Sequence, residues 1–220
     1  MIEIDIDEST HPAKQMLSVH VIDNALDEET RNEYISYINA NKSMSSYIDA
    51  SNNICDRSEI WVKNAYNDII KEKSVISSIF QIAAKVVDLS ATVGYDYWVV
   101  VESNEFVWHI DRDEKLYKSS RETKPAMCTI VYFPMVDSSQ GGGNMIIKLA
   151  SLLSDNDIQD IVIKPKNNRL IVIPGGTVYS YIPFTSSKII LNINPFSYDV
   201  WASGEVGESQ QTVNLPPSAE

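Results

Sequence analysis

A chain of 220 residues with 44% hydrophobic and 22% charged residues has the length and composition of one sizeable globular domain. The 30 Asp and Glu against 18 Lys and Arg leave a formal net charge of −12. That argues against nucleic acid as a partner, because such binding rests on cationic side chains meeting phosphates, and leaves small molecules and basic partners open. No apolar run approaches the roughly 18 residues of a membrane span, so no membrane is expected as a partner. The acidic opening MIEIDIDEST lacks the basic and apolar regions of a secretory signal. Cys55 and Cys128 lie far apart, without metal-type spacing, and read as reduced thiols of a cytoplasmic protein.

In chain order, residues 1–15 are polar and expected to be poorly ordered. Residues 17–22 read as a short β-branched strand. Asp27 then has the character of an N-cap, with Glu28 and Glu29 in the first turn and Tyr34, Ile35 and Ile38 at helical spacing. Residues 41–53, rich in Ser and Asn, read as loop. Apolar residues at three- and four-residue steps predict helix over 56–89, broken near 72–74. From Tyr95 onward the pattern changes to strands, at 95–101, 127–133, 144–149, 158–163, 169–173, 178–182 and 188–193. Helices followed by seven or eight short strands predict a mostly β fold with N-terminal helices, a jelly roll buttressed by a helical layer. A single domain over 1–220 is expected, with the strand-and-helix buttress at 17–90, the β core at 95–197 and a flexible tail at 202–220.

The chemistry centres on Trp108-His109-Ile110-Asp111. In an extended segment residues i and i+2 share a face, so His109 and Asp111 stand side by side. An imidazole and a carboxylate so placed are two of the three groups of the 2-His-1-carboxylate triad that holds non-haem iron. Three later motifs give the pair a context: the turn Gln140-Gly141-Gly142-Gly143-Asn144, the strand and turn from Asn168 through Arg169 to Pro174-Gly175-Gly176, and the strand from Lys188 to Ile193 ending Asn194-Pro195-Phe196. In this order they resemble the double-stranded β-helix of the Fe(II)/2-oxoglutarate-dependent oxygenases, in particular the prolyl-hydroxylase-like members and a small bacterial branch with W-H-x-D-x-D-E.

That resemblance implies His109 and Asp111 as iron ligands and Fe(II) and 2-oxoglutarate as cofactors. It also implies hydroxylation of a small molecule or a peptide side chain. The position matching the family's distal His is Tyr179, which the resemblance makes the third metal position and a catalytic residue. The family's co-substrate Arg is matched by Lys188, with Tyr132 matching a tyrosine that shares the same carboxylate. Lys neutralises a carboxylate as a point charge but lacks the planar fork of Arg.

Tyr179 is open to three readings: a ligand, a pocket residue beside a two-ligand site, or the mark of a site that no longer binds metal. A free phenol with a pKa of about 10 is a poor Fe(II) ligand at neutral pH, and Tyr181 shares its strand face. Two further functions follow from the same residues: a non-catalytic barrel that binds a small anion or a protein partner, and a cofactor-free enzyme using the pocket. Lys188 alternates with Ile189, Leu191 and Ile193, which puts it on the face opposite theirs, the barrel interior in the family. Trp108 reads as pocket wall or core, Asp113 and Glu114 as solvated carboxylates, Cys128 as core, and 116–124 as a lid. Nothing in the sequence indicates the oligomeric state.

Overall fold

The computed structural model describes residues 18–40, 60–101, 108–137, 142–150, 158–182 and 188–200. The expectations for residues 1–15, the loop at 41–53 and the tail at 202–220 lie outside them, as do His11 and Cys55. The architecture is mostly β. Nine strands are described: β1 (His20–Asp23), β2 (Ile60–Val62), β3 (Gly94–Val101), β4 (Cys128–Val136), β5 (Met145–Ala150), β6 (Ile158–Ile163), β7 (Arg169–Pro174), β8 (Val178–Tyr181) and β9 (Lys188–Phe196). Four helices accompany them: α1 (Glu28–Ala40), α2 (Tyr66–Ile69), α3 (Val75–Ala83) and α4 (Glu114–Ser120).

The strands form two antiparallel sheets, a larger one in the order β1-β7-β4-β9-β3-β2 and a smaller one in the order β6-β5-β8. The central strands of the larger sheet read as nearly unbroken apolar runs, TIVYF in β4, LIVI in β7 and IILNI in β9, because both of its faces are covered. One face receives the helices. Tyr34 and Ile38 of α1 and Ile79 and Phe80 of α3 pack there with Ile130, Tyr132, Leu170 and Leu191. The other face meets the smaller sheet, and Val131, Phe133, Ile171 and Ile190 pack there with Met145, Ile147, Tyr179 and Tyr181. This second layer is the barrel interior.

Local chemistry fixes the helix starts. Asp27 caps α1, accepting from the Thr30 N–H at 2.8 Å and from the Thr30 hydroxyl at 2.8 Å; Ser74 caps α3, accepting from Ser77 N–H at 3.1 Å. The long helix expected over 56–89 is a correction. Residues 60–62 are instead β2, whose Ile60, Trp61 and Val62 pair with Tyr97, Asp96 and Tyr95. Among the described residues of this stretch, α2 and α3 are the helical parts. Free strand edge on β3 outweighs a weak helical periodicity, and β-branched Ile60 and Val62 suit the pleat. Gly94 permits the fit: a Cβ there would stand 2.5 Å from a Trp61 ring carbon.

Two strands run past a proline at which the sequence pattern stops. β9 continues through Pro195, whose carbonyl accepts from Met127 N–H at 2.8 Å. β4 continues through Pro134 to Val136 by way of a bulge: Tyr132 pairs with Leu191, but Met135 already pairs with Ile189. Three steps on β4 thus match two on β9, and proline, having no N–H to lose, suits such a position.

Asn168 ties the helical layer to the sheet. It sits in the left-handed region at φ 59, which Asn tolerates better than most residues. Its side-chain oxygen accepts from Leu26 N–H at 2.9 Å and from the Tyr132 hydroxyl at 3.0 Å, and its amide donates to Leu26 carbonyl at 2.6 Å. All of this is buried. Asn168→Ala removes three hydrogen bonds and leaves buried groups unmet at about 1–3 kcal/mol each. A loss of about 3 kcal/mol or more is therefore expected, read from the midpoint of urea unfolding, with Asn168→Gly recovering only the backbone strain.

Candidate functional site

His109 lies beside β8, with its N–H donating to Tyr179 carbonyl at 3.1 Å and its carbonyl accepting from Tyr179 N–H at 3.0 Å. Two residues that exchange both backbone bonds point to the same face. Their rings therefore meet, with centroids 4.4 Å apart. Asp111, two residues on, shares that face and is 6% exposed. Its Oδ2 accepts from the Tyr179 hydroxyl at 2.7 Å and from the Thr129 hydroxyl at 2.7 Å. Its Oδ1 stands 3.8 Å from His109 Nε2, beyond hydrogen-bond length. One carboxylate oxygen is thus held by a hydroxyl from each sheet.

Tyr179, not Tyr181, is the residue that meets the His109/Asp111 pair. Tyr181 stands deeper along β8, edge-on to Tyr179 at 5.9 Å and to Phe133 at 6.4 Å.

Lys188 faces the interior. It is wholly buried, opposite Val136 in register and on the strand face of Ile190. Burial pulls its pKa down to about 7. Tyr132 does not share its surroundings. It lies on the helix-facing side of β4 with Ile130 and Leu170, and its hydroxyl donates to Asn168. Its pKa is raised, above all by burial. The expectation that Tyr132 joins Lys188 at one carboxylate is corrected by strand alternation: Val131 and Phe133 face the interior, so Tyr132 faces away.

The same alternation corrects Trp108. With His109 turned inward, Trp108 turns outward and is 44% exposed, with the Lys148 ammonium 4.7 Å over its ring. Asp113 is likewise no solvated carboxylate. It is 1% exposed and caps α4, accepting from Leu116 N–H at 2.9 Å. An Asp three residues before Leu116, with Glu114 following, was a legible cap signal. Glu114 is half-buried and pairs with Arg112 at 3.0 Å. The supposed lid at 116–124 begins with α4. Cys128 is buried, its thiol pushed up to about 12 by burial, which makes it inert. Gly142 and Gly143 take φ of 95 and 73 in the turn before β5.

No protein-family model matches the chain, and no curated protein matches it. Solved structures do. A Pseudomonas putida prolyl-4-hydroxylase superposes with a TM-score of 0.52 at 12% identity, over 81% of this chain and 84% of that one. A Phytophthora capsici prolyl 4-hydroxylase gives 0.51 at 11% identity, over 89% of this chain and 65% of that one. The viral collagen prolyl hydroxylase of Paramecium Bursaria Chlorella virus-1 gives 0.50 at 14% identity, over 90% and 99%. The chain has the prolyl-hydroxylase fold. At such identities the likeness concerns the backbone and assigns no residue a role.

The residues do not fit a three-ligand iron centre. Tyr179 meets His109 and Asp111 where the resemblance calls for a second imidazole, and its hydroxyl proton is directed to Asp111. The oxygen it reaches already accepts from Thr129. That leaves His109 Nε2 and Asp111 Oδ1, and among the described residues no three His, Cys, Asp or Glu side chains converge. No helix among them is long and apolar enough to cross a membrane.

The two tyrosines separate in a stability measurement. Tyr179→Phe removes a hydrogen bond to a buried carboxylate and is expected to cost about 2 kcal/mol, whereas Tyr132→Phe removes a neutral one and costs about 1 kcal/mol. Chemical unfolding of both variants checks this. A Tyr179→Phe protein as stable as the parent would mean that the bond to Asp111 contributes nothing.

Proposed function

We propose that this barrel binds a small carboxylate anion at Lys188 and works without iron-dependent turnover. The observation that carries the reading is the bond from Tyr179 to Asp111, 2.7 Å long. It commits to an internal network one oxygen of the carboxylate that an oxygenase would offer to metal. A phenol donating to a carboxylate is not at the same time a phenolate ligand. The interior that would hold a co-substrate keeps its cation. An anion entering beside Lys188 meets a buried ammonium in a charge-assisted contact, stronger than a neutral one. This supports a dicarboxylate of the 2-oxoglutarate kind as the ligand class.

The runner-up is the oxygenase itself, with iron held by His109 and Asp111 alone, Lys188 holding 2-oxoglutarate, and a small molecule or peptide side chain as substrate. Its support is that His109 Nε2 and Asp111 Oδ1 face each other at 3.8 Å. A neighbour named as a collagen prolyl hydroxylase makes a peptide the substrate class for that reading. A cofactor-free reaction using Tyr179 as acid or base gains no support, because its hydroxyl is engaged by Asp111.

Anaerobic calorimetry decides between them. With 2-oxoglutarate or glutarate alone, saturable binding is expected, weakened at least tenfold in Lys188→Met. The pH dependence follows from the depressed pKa. Above about pH 7 Lys188 is mostly neutral in the free protein, so binding the anion takes up close to one proton. Affinity then falls about tenfold per pH unit as pH rises and levels off below 7. Titrations at pH 8 in buffers of different ionisation heat measure that uptake. Added Fe(II) should change nothing in the parent, while Tyr179→His supplies the absent imidazole and should bind it. Tight Fe(II) binding by the parent, with consumption of 2-oxoglutarate under air, would overturn the reading in favour of the oxygenase.

A further inference from the structure

The outer face of the smaller sheet departs from the usual pattern of an antiparallel sheet. A sheet with one face in water ordinarily alternates apolar-in and polar-out. Met145 and Ile147 of β5, Ile163 of β6, and Tyr179 and Tyr181 of β8 fill the barrel interior. Alternation therefore points Ile146, Val162, Val178 and Ile182 away from it. Trp108, beside β8, is turned outward with them. Of the six large apolar side chains that stand exposed among the described residues, four are Trp108, Val162, Val178 and Ile182. The other two, Val21 on β1 and Val93 before β3, stand singly. Single exposed apolar residues need no explanation, whereas a contiguous group marks an interaction surface.

Register draws this face into rows. Val162, Ile146 and Ser180 face one another across β6, β5 and β8, and Asp160, Lys148 and Val178 form the next row. The Lys148 ammonium lies 4.7 Å over the Trp108 ring, so Trp108 is continuous with that second row. The same ammonium stands 3.7 Å from Asp160. An apolar surface thus carries one cation and one carboxylate side by side. Both are partly exposed, and a single pair of that kind contributes little to the stability of one chain.

The pair is self-complementary. A two-fold axis parallel to the strands and midway between β5 and β6 lays each β5 over the partner's β6. Lys148 and Asp160 are register partners, as are Ile146 and Val162. The axis therefore sets Lys148 over the partner's Asp160 and Ile146 over the partner's Val162. Four charges of alternating sign then meet with no like charges opposed. An axis along β5 itself would set Lys148 over its own copy, which like-charge repulsion disfavours. Val178 and Trp108 lie about 5 and 10 Å to the side of β5, where they flank the partner's β6, the outermost strand of the smaller sheet among the described residues. Two copies of a chain with formal charge −12 repel each other in general, but the charges of this pair balance.

We propose that this face docks a second copy of the chain, giving a two-fold dimer by sheet-on-sheet packing. The three strands cover roughly 15 by 20 Å. That is near the lower end of specific interfaces, so the dimer is expected to be weak, with a dissociation constant on the order of 10 to 100 μM.

Sedimentation equilibrium of the full chain from about 1 to about 500 μM tests this, with the mass expected to rise from one chain toward two. Val162→Asp, at a site 57% exposed, should weaken association at least tenfold and Trp108→Ser severalfold. Val21→Asp, on β1 away from the face, should associate as the parent does; unchanged circular dichroism and melting temperature verify each fold. Lys148→Glu leaves two carboxylates on the face and Asp160→Lys two ammonium groups. Each alone should stay monomeric, while an equimolar mixture of the two should form a heterodimer of nearly parental affinity. A parent that stays monomeric throughout overturns the proposal, and its flotation with phosphatidylcholine vesicles would assign the face to a lipid surface instead. Parent-like association of Val162→Asp, or a mixture of the charge-reversed variants that stays monomeric, would overturn it as well.

Discussion

One carboxylate oxygen governs the mouth of this barrel. Asp111 Oδ2 receives a hydroxyl from Thr129 in the larger sheet and another from Tyr179 in the smaller. Hydrogen bonds to a buried charge are stronger than neutral ones and demand defined geometry. The pair therefore fixes the spacing of the two sheets where they are joined by no backbone ladder. It also sets the orientation of the His109 ring, held between the Tyr179 ring and the carboxylate. In a metal site such a carboxylate would be oriented by hydrogen bonds from one side and leave its other lone pairs to the ion. Here the hydroxyls of Thr129 and Tyr179 both take Oδ2, and Oδ1 stands 3.8 Å from His109 Nε2.

Much of this was legible in the sequence, for reasons specific to particular residues. The change from three- and four-residue steps to short strands near Tyr95 gave the helical layer and the β core. The two-residue spacing of His109 and Asp111 gave their shared face. Lys188 was legible because Ile189, Leu191 and Ile193 alternate around it. Tyr132 was not, because TIVYF is apolar on both sides: when a strand is buried on both faces, the alternation that tells inside from outside disappears. Only the tertiary register, with Tyr132 directed at Asn168, separates them. Ile60 to Val62 misled for the opposite reason. Three residues are too short to carry a period, and the available edge of β3 decided their conformation. The bond between Tyr179 and Asp111 joins residues 68 positions apart, and no local pattern encodes it.

The interior thus carries charge of opposite sign at two levels. Deep in the barrel a lysine is held near the point of losing its proton; toward the mouth lie the buried carboxylates of Asp111 and Asp113. The −12 formal charge would draw cations toward the molecule generally, and Asp111 and Asp113 add carboxylates that are buried. Exposed charges are screened by salt within about 8–10 Å, whereas buried ones keep their reach. An anion bound near Lys188 would enter past these carboxylates, so its entry would depend on ionic strength even though its final contact does not.

The bulge in β4 has a consequence for how the strand is counted. Phe133 faces the interior, Met135 packs on the helical side and Val136 faces the interior again. Without Pro134 the numbering would alternate regularly through the same assignments. The strand therefore holds one residue more than its facing requires, and that residue has no N–H to leave unbonded. A bulge of this kind bends its strand and increases the local twist. A chain shortened by that single residue would still send every β4 side chain to its present layer, but along a straighter edge. The course of β4 beside Lys188 is thus set by strand length and not by side-chain identity.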